Sequence, residues 1–174
     1  LAVGVIGFHM REMIPYGHMK VATLAIIVRD DKVLLGEKTG NPEIGKGKLN
    51  GPGGKLEVGE TLMECVIRET KEEMGITLVP DKTEKIAVIT FLFAGVPDFE
   101  VHVYRTEVFE GNPVTTESMI PNWFAIDALP LDRMHDSDRE WFAKAIRGEK
   151  FNAQVNYHER AAKFANIKFL PFTS

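Results

Sequence analysis

The sequence predicts an α/β domain in which a mixed β-sheet lies between helices. Three observations point to it: short apolar, β-branched runs recur along the chain, two segments carry apolar residues at helical spacing, and turn-rich stretches separate them. Strands and helices interleaved in this way favour one sheet with helices packed on its faces. With 174 residues and 44% hydrophobic content, the chain has the size of one such domain.

The first predicted elements are a β-hairpin and a long irregular loop. Residues 20–29 and 32–36 are apolar and β-branched, and the Asp-Asp pair between them favours a turn. Residues 39–59 contain the run Asn50-Gly51-Pro52-Gly53-Gly54, which fits neither a regular helix nor a central strand. We therefore expect a shaped loop over 39–59.

The next element is a helix over about 61–74. Thr61 and Glu64 form a capping box, in which each residue satisfies the backbone N–H of the other. Apolar residues then recur at helical spacing as far as Met74, and Gly75 supplies a C-terminal stop.

Strands and a second helix follow. Ser137 and Glu140 predict a second capping box, with apolar residues at helical spacing behind it and Gly148 after them. A turn is expected at 95–98. Five further segments have the length and composition of strands: 85–94, 99–109, 123–126, 151–157 and 165–170.

The composition excludes several classes of protein. The lone Cys65 has no partner for a disulfide or a Cys-rich metal site, which suits a reducing compartment. A net charge of -4 leaves no broad cationic surface for nucleic acid. No apolar run approaches the roughly 18 to 20 residues that a membrane span needs. We expect a cytoplasmic protein, monomer or dimer, with no stable nucleic-acid or membrane partner.

Residues 1–18 are set apart from the predicted domain. They lack the basic leader and the small-residue cleavage site of a signal peptide. Gly17, His18 and Met19 look like a cloning junction. We expect a cloning-derived segment or a genuine extension at 1–18, and the functional domain at 19–174.

The candidate chemistry lies on the first helix. Glu69, Glu72 and Glu73 occupy positions i, i+3 and i+4, so their carboxylates share adjoining parts of one surface, with Glu72 turned further toward solvent. Such like charges repel unless cations balance them. A solvated acidic helix face is the simplest interpretation. However, the glycines just upstream let the backbone approach these carboxylates, and oxygen ligands of this kind are what Mg²⁺ selects.

A known motif has the same residues at the same spacing. Five residues separate Gly54 from Glu60, and seven separate Glu60 from the run RETKEEMGI at 68–76. This pattern resembles the Nudix box, Gly-x5-Glu-x7-Arg-Glu-U-x-Glu-Glu-x-Gly-U, where U is bulky and apolar. Thr70, at the first U position, is the one departure; it should face the core, with slightly weaker packing and intact chemistry. The resemblance implies a Nudix α/β/α sandwich that hydrolyses a diphosphate bond.

The resemblance also implies a metal site. Its ligands would be Glu69, Glu72, Glu73 and the Gly54 carbonyl, holding Mg²⁺ or alternatively Mn²⁺, with Arg68 orienting the glutamates. Glu73, Glu69 and Arg68 would then be catalytic, because the bound metal offsets phosphate charge and activates water.

Nudix enzymes also recruit a more distant carboxylate as ligand or base. Glu117, in a loop between predicted strands, is the candidate in this chain. An exposed loop glutamate without a catalytic role is the alternative.

The flanks of the box resemble one branch of the family. From Thr23 to about Phe151 the chain is similar to the mammalian-type oxidised purine nucleoside triphosphatases, the MutT homologues or 8-oxo-dGTP diphosphatases, with matching segments such as GKLNG at 47–51 and PNWF at 121–124. The resemblance implies a base pocket of eight residues: Thr23, Lys38, Asn50, Phe91, Phe93, Met119, Asp138 and Trp141.

Each assignment has a structural alternative. Phe91 and Phe93 could be core residues of a strand, and Met119 could serve packing alone. Asp138 lies in the first turn of a predicted helix, where the helix dipole favours any acid. Trp141 could anchor that helix to the core.

The run His135-Asp136-Ser137-Asp138 departs from that branch. The template has two adjacent aspartates preceded by Trp-Pro, so this chain lacks the stacking indole and one of the two acids. A serine hydroxyl donates or accepts a hydrogen bond but does not ionise. We expect an altered readout of the base, with Asp136 as a group that could compensate.

Three functions remain open at this point. The leading hypothesis is hydrolysis of oxidised purine (deoxy)nucleoside triphosphates, such as 8-oxo-dGTP, to monophosphate and pyrophosphate, which cleanses the nucleotide pool and protects DNA. The second keeps the Nudix chemistry on another substrate: an ordinary dNTP, a nucleotide sugar, ADP-ribose or an RNA 5′ end. The third is a nucleotide-binding module without turnover, which would require a broken box.

Overall fold

The computed structural model describes residues 19–40, 45–159 and 162–173. Within them, short 3₁₀ turns lie at Pro80–Lys82 and Leu131–Arg133. The strands and α-helices are β1 (Lys20–Arg29), β2 (Lys32–Lys38), β3 (Leu49–Asn50), α1 (Leu62–Met74), β4 (Thr77–Leu78), β5 (Thr83–Phe93), β6 (Val96–Thr106), β7 (Phe109–Glu110), β8 (Met119–Ala125), α2 (Asp138–Ile146), β9 (Phe151–Glu159) and β10 (Lys163–Leu170).

The main sheet is mixed, as predicted. Its strand order is β10-β9-β5-β6-β1-β2-β3, and β8 also pairs with β2. β1 is parallel to β6 and β5 is parallel to β9, whereas the hairpin neighbours are antiparallel. The short strands β4 and β7 form a separate pair.

One helix packs on each face of this sheet. The apolar side of α1, including Val66 and Met74, contacts alternate residues of β1 such as Ala25 and Ile27. The other residues of β1 point to the opposite face, where they form a core with α2 around the fully buried Phe142. The predicted α/β/α sandwich is therefore confirmed.

The predicted first helix is confirmed together with both of its ends. The Thr61 hydroxyl accepts the Glu64 amide at 3.2 Å, and the Glu64 carboxylate accepts the Thr61 amide at 2.8 Å. Gly75 ends the helix with φ 74°, a left-handed conformation that suits glycine. Thr70 is fully buried, as expected from the helical projection.

The hairpin between β5 and β6 differs from the predicted turn at 95–98. Its turn is formed by Ala94 and Gly95, with φ 48° and 80°. A two-residue turn with positive φ matches the twist of the paired strands, so pairing resumes at once. Pro97 and Asp98 consequently belong to β6, and Pro97 is tolerated beside an irregularity in the strand register.

The predicted second capping box is wrong, although α2 itself is present. Ser137 has a helical backbone, with φ -73° and ψ -19°, and its side chain makes no cap bond within the described chain. Its hydroxyl instead accepts a hydrogen bond from Tyr157 at 2.8 Å. The side chain of Asp138 accepts the backbone amide of His135 at 3.1 Å.

Two other expectations concern less regular regions. The predicted loop over 39–59 contains the short strand β3, which pairs with the end of β2, and its residues 41–44 lie outside the described ranges. The expectation about residues 1–18 also lies outside them. Among the described residues, no helix combines the length and apolar character needed to cross a membrane.

Candidate active site

The run Asn50-Gly51-Pro52-Gly53-Gly54 forms what we call the glycine loop. Hydrogen bonds like those between paired strands attach it to β1. The amide of Thr23 donates to the Gly54 carbonyl at 2.9 Å, and the amide of Ala25 donates to the Pro52 carbonyl at 2.8 Å. β2 pairs with β1 only over residues 27–29. The glycine loop therefore occupies the part of the β1 edge that β2 leaves free.

Two glycines allow this close approach. A Cβ atom on Gly51 would lie 2.2 Å from the backbone oxygen of Ala25, and one on Gly53 would lie 2.1 Å from that of Thr23. Both distances are far inside van der Waals contact with atoms that the sheet holds in place. Only glycine fits at these two positions.

Gly54 plays a different part, because its open side faces the carboxylate of Glu69. A Cβ atom at position 54 would lie 2.3 Å from the Glu69 carboxyl carbon. The missing side chain thus leaves the space in which this carboxylate lies. The Glu69 side chain is 15% exposed and receives a hydrogen bond from Arg68 at 2.8 Å.

Arg68 connects the acidic residues of the box. Its Nε and Nη2 atoms donate to Glu60 at 2.8 and 3.0 Å, and its Nη1 atom donates to Glu69 at 2.8 Å and to Glu72 at 3.3 Å. This two-point contact holds the pKa of Glu60 at about 2, well below its ordinary value. These contacts are compatible with an orienting role for Arg68, and that role stays a prediction.

Glu73 is the only one of the four box glutamates that is buried as a whole residue, at 9% exposure. It accepts the amide of Gly53 at 2.9 Å and the ammonium of Lys38 at 3.2 Å. Burial raises its pKa, while Lys38 and the Gly53 amide act in the opposite direction. Lys38, which the resemblance assigned to the base pocket, therefore contacts the predicted metal site.

The carboxylates fit a divalent cation chemically. Glu69 and Glu73 border the same cavity, and their oxygens are ligands of the kind that Mg²⁺ prefers. Across the described ranges, no three acidic, His or Cys side chains already stand in a coordinating arrangement. Arg68 holds Glu69 and Glu72, and Lys38 holds Glu73.

The Gly54 carbonyl is directed toward β1. It accepts the Thr23 amide, and the Cys65 thiol contacts it at 3.7 Å. As a metal ligand it would have to share its oxygen with β1, so this assignment stays a prediction.

A cavity of about 520 Å³ joins these carboxylates to the predicted base pocket. Seven of the eight residues assigned to that pocket line it: Thr23, Lys38, Asn50, Phe91, Phe93, Asp138 and Trp141. The structure thus brings together two groups of residues that lie far apart in the sequence.

The remaining assigned residues lie elsewhere. Met119 is fully buried in the cluster beneath α1, next to Gly36, so its packing alternative is the one that the structure supports. Glu117 is exposed in its loop and does not line the cavity. Glu72, whose side chain is 60% exposed, and the exposed Asp136 do not line it either.

Asp138 is a titratable group in the lining of the cavity. It is 3% exposed, and burial raises its pKa to about 7 although the His135 amide and Lys48 favour the charged form. Near neutral pH this carboxyl can therefore either donate or accept a hydrogen bond. The Trp141 side chain also favours the charged form of Asp138, although its buried indole nitrogen has no partner that meets hydrogen-bond geometry among the described residues.

His135 and Tyr157 also line the cavity, and neither was among the predicted site residues. Tyr157 could have been found from the alternation in its strand: Phe151, Ala153 and Val155 share its face and belong to the same core. No comparable signal marks His135, because it lies in an irregular segment before α2.

Comparisons with known proteins agree with this geometry. Residues 18–145 match the NUDIX domain. The chain is 38% identical over 133 residues to the oxidized purine nucleoside triphosphate hydrolase of Danio rerio, covering 76% of this chain and 83% of that one. It is 32% identical over 142 residues to the Mus musculus protein of the same name, covering 81% and 88%.

A solved structure supports the fold. The mutator MutT protein from Bacillus halodurans superimposes with a TM-score of 0.73 at 24% identity, covering 87% of this chain and 97% of that chain. The box, the sandwich around it and the domain match agree with one another. The chain therefore belongs to the Nudix family of hydrolases.

Proposed function

We propose that this enzyme hydrolyses oxidised purine (deoxy)nucleoside triphosphates to the monophosphate and pyrophosphate, with Mg²⁺ as its cofactor. The observation that carries the proposal is the single cavity whose lining includes both the box carboxylates Glu69 and Glu73 and the buried carboxyl of Asp138. The names of the animal relatives support the same substrate class. Such an activity would remove damaged nucleotides before they enter DNA.

The cavity has the chemistry that a purine requires. Phe91, Phe93 and Trp141 offer apolar surfaces to the ring. Asp138 offers a donor or an acceptor to its polar edge. The side-chain oxygen of Asn50 accepts the Gly51 amide at 2.9 Å, which leaves its NH₂ group to donate to a ligand.

The part of the cavity lined by Glu69, Glu73 and Lys38 suits a triphosphate. Bound Mg²⁺ would neutralise phosphate charge and activate the attacking water there. Arg68 would keep Glu69 in place, and Lys38, beside Glu73, adds a positive charge where base pocket and carboxylates meet. Glu117 would have to turn toward the cavity to act as the distal base.

The test is a substrate panel measured with Mg²⁺ and after its removal by a chelator, scoring pyrophosphate against phosphate. We expect pyrophosphate from 8-oxo-dGTP, loss of turnover without metal, and at least a hundredfold lower kcat for Glu73→Gln. Glu140→Gln, an exposed glutamate of α2, is the matched control. Full activity of Glu73→Gln would refute the metal assignment, and a preference for unmodified pyrimidine triphosphates would refute the substrate.

The proposed role also indicates where the protein works and what it binds. Nucleoside triphosphates are made and used inside the cell, so we propose a cytoplasmic location. The expected partner is a small nucleotide, which needs no extended binding surface.

A further inference from the structure

A buried pair of hydroxyl groups lies beside the predicted base pocket. Tyr157 of β9 donates a hydrogen bond to the Ser137 hydroxyl at 2.8 Å, and the two residues are 5% and 0% exposed. Tyr157 also lines the cavity. The contact therefore ties the residue before α2 to the sheet, directly beside the pocket.

Asp138 follows Ser137 and is the first residue of α2. Local backbone contacts hold this turn: the Asp138 amide donates to the His135 carbonyl at 2.9 Å, and the Glu140 amide donates to the Ser137 carbonyl at 3.0 Å. These bonds join residues of the same short segment, so they do not fix its position relative to the sheet. The hydrogen bond of the Tyr157 hydroxyl supplies a side-chain link between this segment and the sheet.

We propose that Tyr157 is a positioning residue for base recognition: its hydrogen bond to Ser137 fixes the start of α2 and thereby the direction of the Asp138 carboxyl in the cavity. This inference rests on the proposed function, in which Asp138 faces the base. It also explains what the serine at position 137 does, because its hydroxyl supports the neighbouring acid and does not line the cavity.

The hydrogen bond between Tyr157 and Ser137 can be removed by replacing either residue, with little change in side-chain volume. Tyr157→Phe keeps the ring in the core, and Ser137→Ala keeps most of the serine volume. The matched control is Tyr104→Phe, because Tyr104 is also 5% exposed but lies in the cluster beneath α1. Thermal melts of all three variants report the folded state.

The measured quantity is the ratio of kcat/KM for 8-oxo-dGTP to kcat/KM for dTTP. We expect Tyr157→Phe to lower this ratio about tenfold, mainly through KM for the purine, which corresponds to roughly 1.4 kcal/mol. Ser137→Ala should have the same effect, and the double variant should be no worse than either single one, because all three lack the same bond. Tyr104→Phe should leave the ratio unchanged.

The outcomes separate this inference from the proposed function. A wild-type enzyme without preference for the oxidised purine would overturn the proposed function. If the wild type shows that preference and both Tyr157→Phe and Ser137→Ala retain it within twofold, the positioning role is wrong. An equal loss of kcat/KM for both nucleotides would indicate a purely structural bond and would also overturn it.

Discussion

Replacing Gly54 by alanine tests whether this glycine serves the Glu69 carboxylate. The added Cβ would lie 2.3 Å from the Glu69 carboxyl carbon and 2.3 and 2.4 Å from its two oxygens. Gly54 does not have the left-handed backbone that would itself disfavour alanine. The clash therefore falls on a flexible side chain, which has to move.

The size of the effect follows from these distances. Ordinary contacts begin at 3.4 Å, so the Glu69 carboxylate must retreat by about 1 Å, a displacement that can cost about a hundredfold in rate at a reacting centre. Stability should change little. The partly exposed contact between Glu69 and Arg68 stabilises the fold by less than about 1 kcal/mol. Alanine in place of glycine restricts the unfolded chain, which favours the folded state by about 0.4 to 1 kcal/mol. A Tm change within about 4 °C is expected.

Thermal melts and initial rates on the same preparations check this prediction. Gly59→Ala is the first control. Among the described residues no atom lies within 4 Å of its added Cβ, but its φ of 84° makes alanine strained, so this variant should lose about 1 to 2 kcal/mol and keep its rate. Gly53→Ala, whose Cβ meets the Thr23 backbone, should melt much lower than wild type. The reasoning is refuted if Gly54→Ala retains its rate within threefold or melts as low as Gly53→Ala.

Three further predictions concern single side chains. Burial raises the pKa of Asp138 from 3.8 to about 7. The folded protein therefore keeps a proton that the unfolded chain releases above about pH 4. As a result, the free energy of unfolding falls as the pH rises toward about 7. The stability gained by Asp138→Asn in urea unfolding should thus be larger at about pH 8 than at about pH 5; equal gains would contradict the burial argument. Arg68→Gln removes the shared cation of Glu60, Glu69 and Glu72, so steady-state assays should show kcat at least tenfold lower, and an unchanged kcat would argue against an orienting role. The Thr116 hydroxyl donates to the Glu73 carbonyl at 2.9 Å, so Thr116→Val should cost about 1 to 2 kcal/mol in urea unfolding, whereas no loss would mean that solvent replaces the bond.

Features encoded by neighbouring residues were predictable from the sequence. The helix that carries the box is an example, because Thr61, Glu64 and Gly75 define both of its ends through contacts within a few residues. The carboxylates Glu69 and Glu73 could be placed on that helix for the same reason. Their common surface follows from helical spacing alone.

Features that depend on distant partners were not predictable in this way. Ser137 has the local pattern of a helix cap, but its hydroxyl is taken by Tyr157, twenty residues later. Met119 lies beneath α1 because the pairing of β8 with β2 sets which face it occupies. The parallel pairing of β1 with β6 joins segments separated by about half of the domain, and no short-range pattern specifies it.

The attachment of the glycine loop to β1 affects how much the loop can move when a ligand binds. The amides of Thr23 and Ala25 donate to this loop from a buried strand, so we expect their hydrogen exchange to be as slow as that of the core. A loop held in this way loses little conformational entropy when a nucleotide binds. Selectivity would then arise from a binding site that is preorganised before the substrate binds. A base that fits this site poorly would gain little binding free energy from adjustment of the loop.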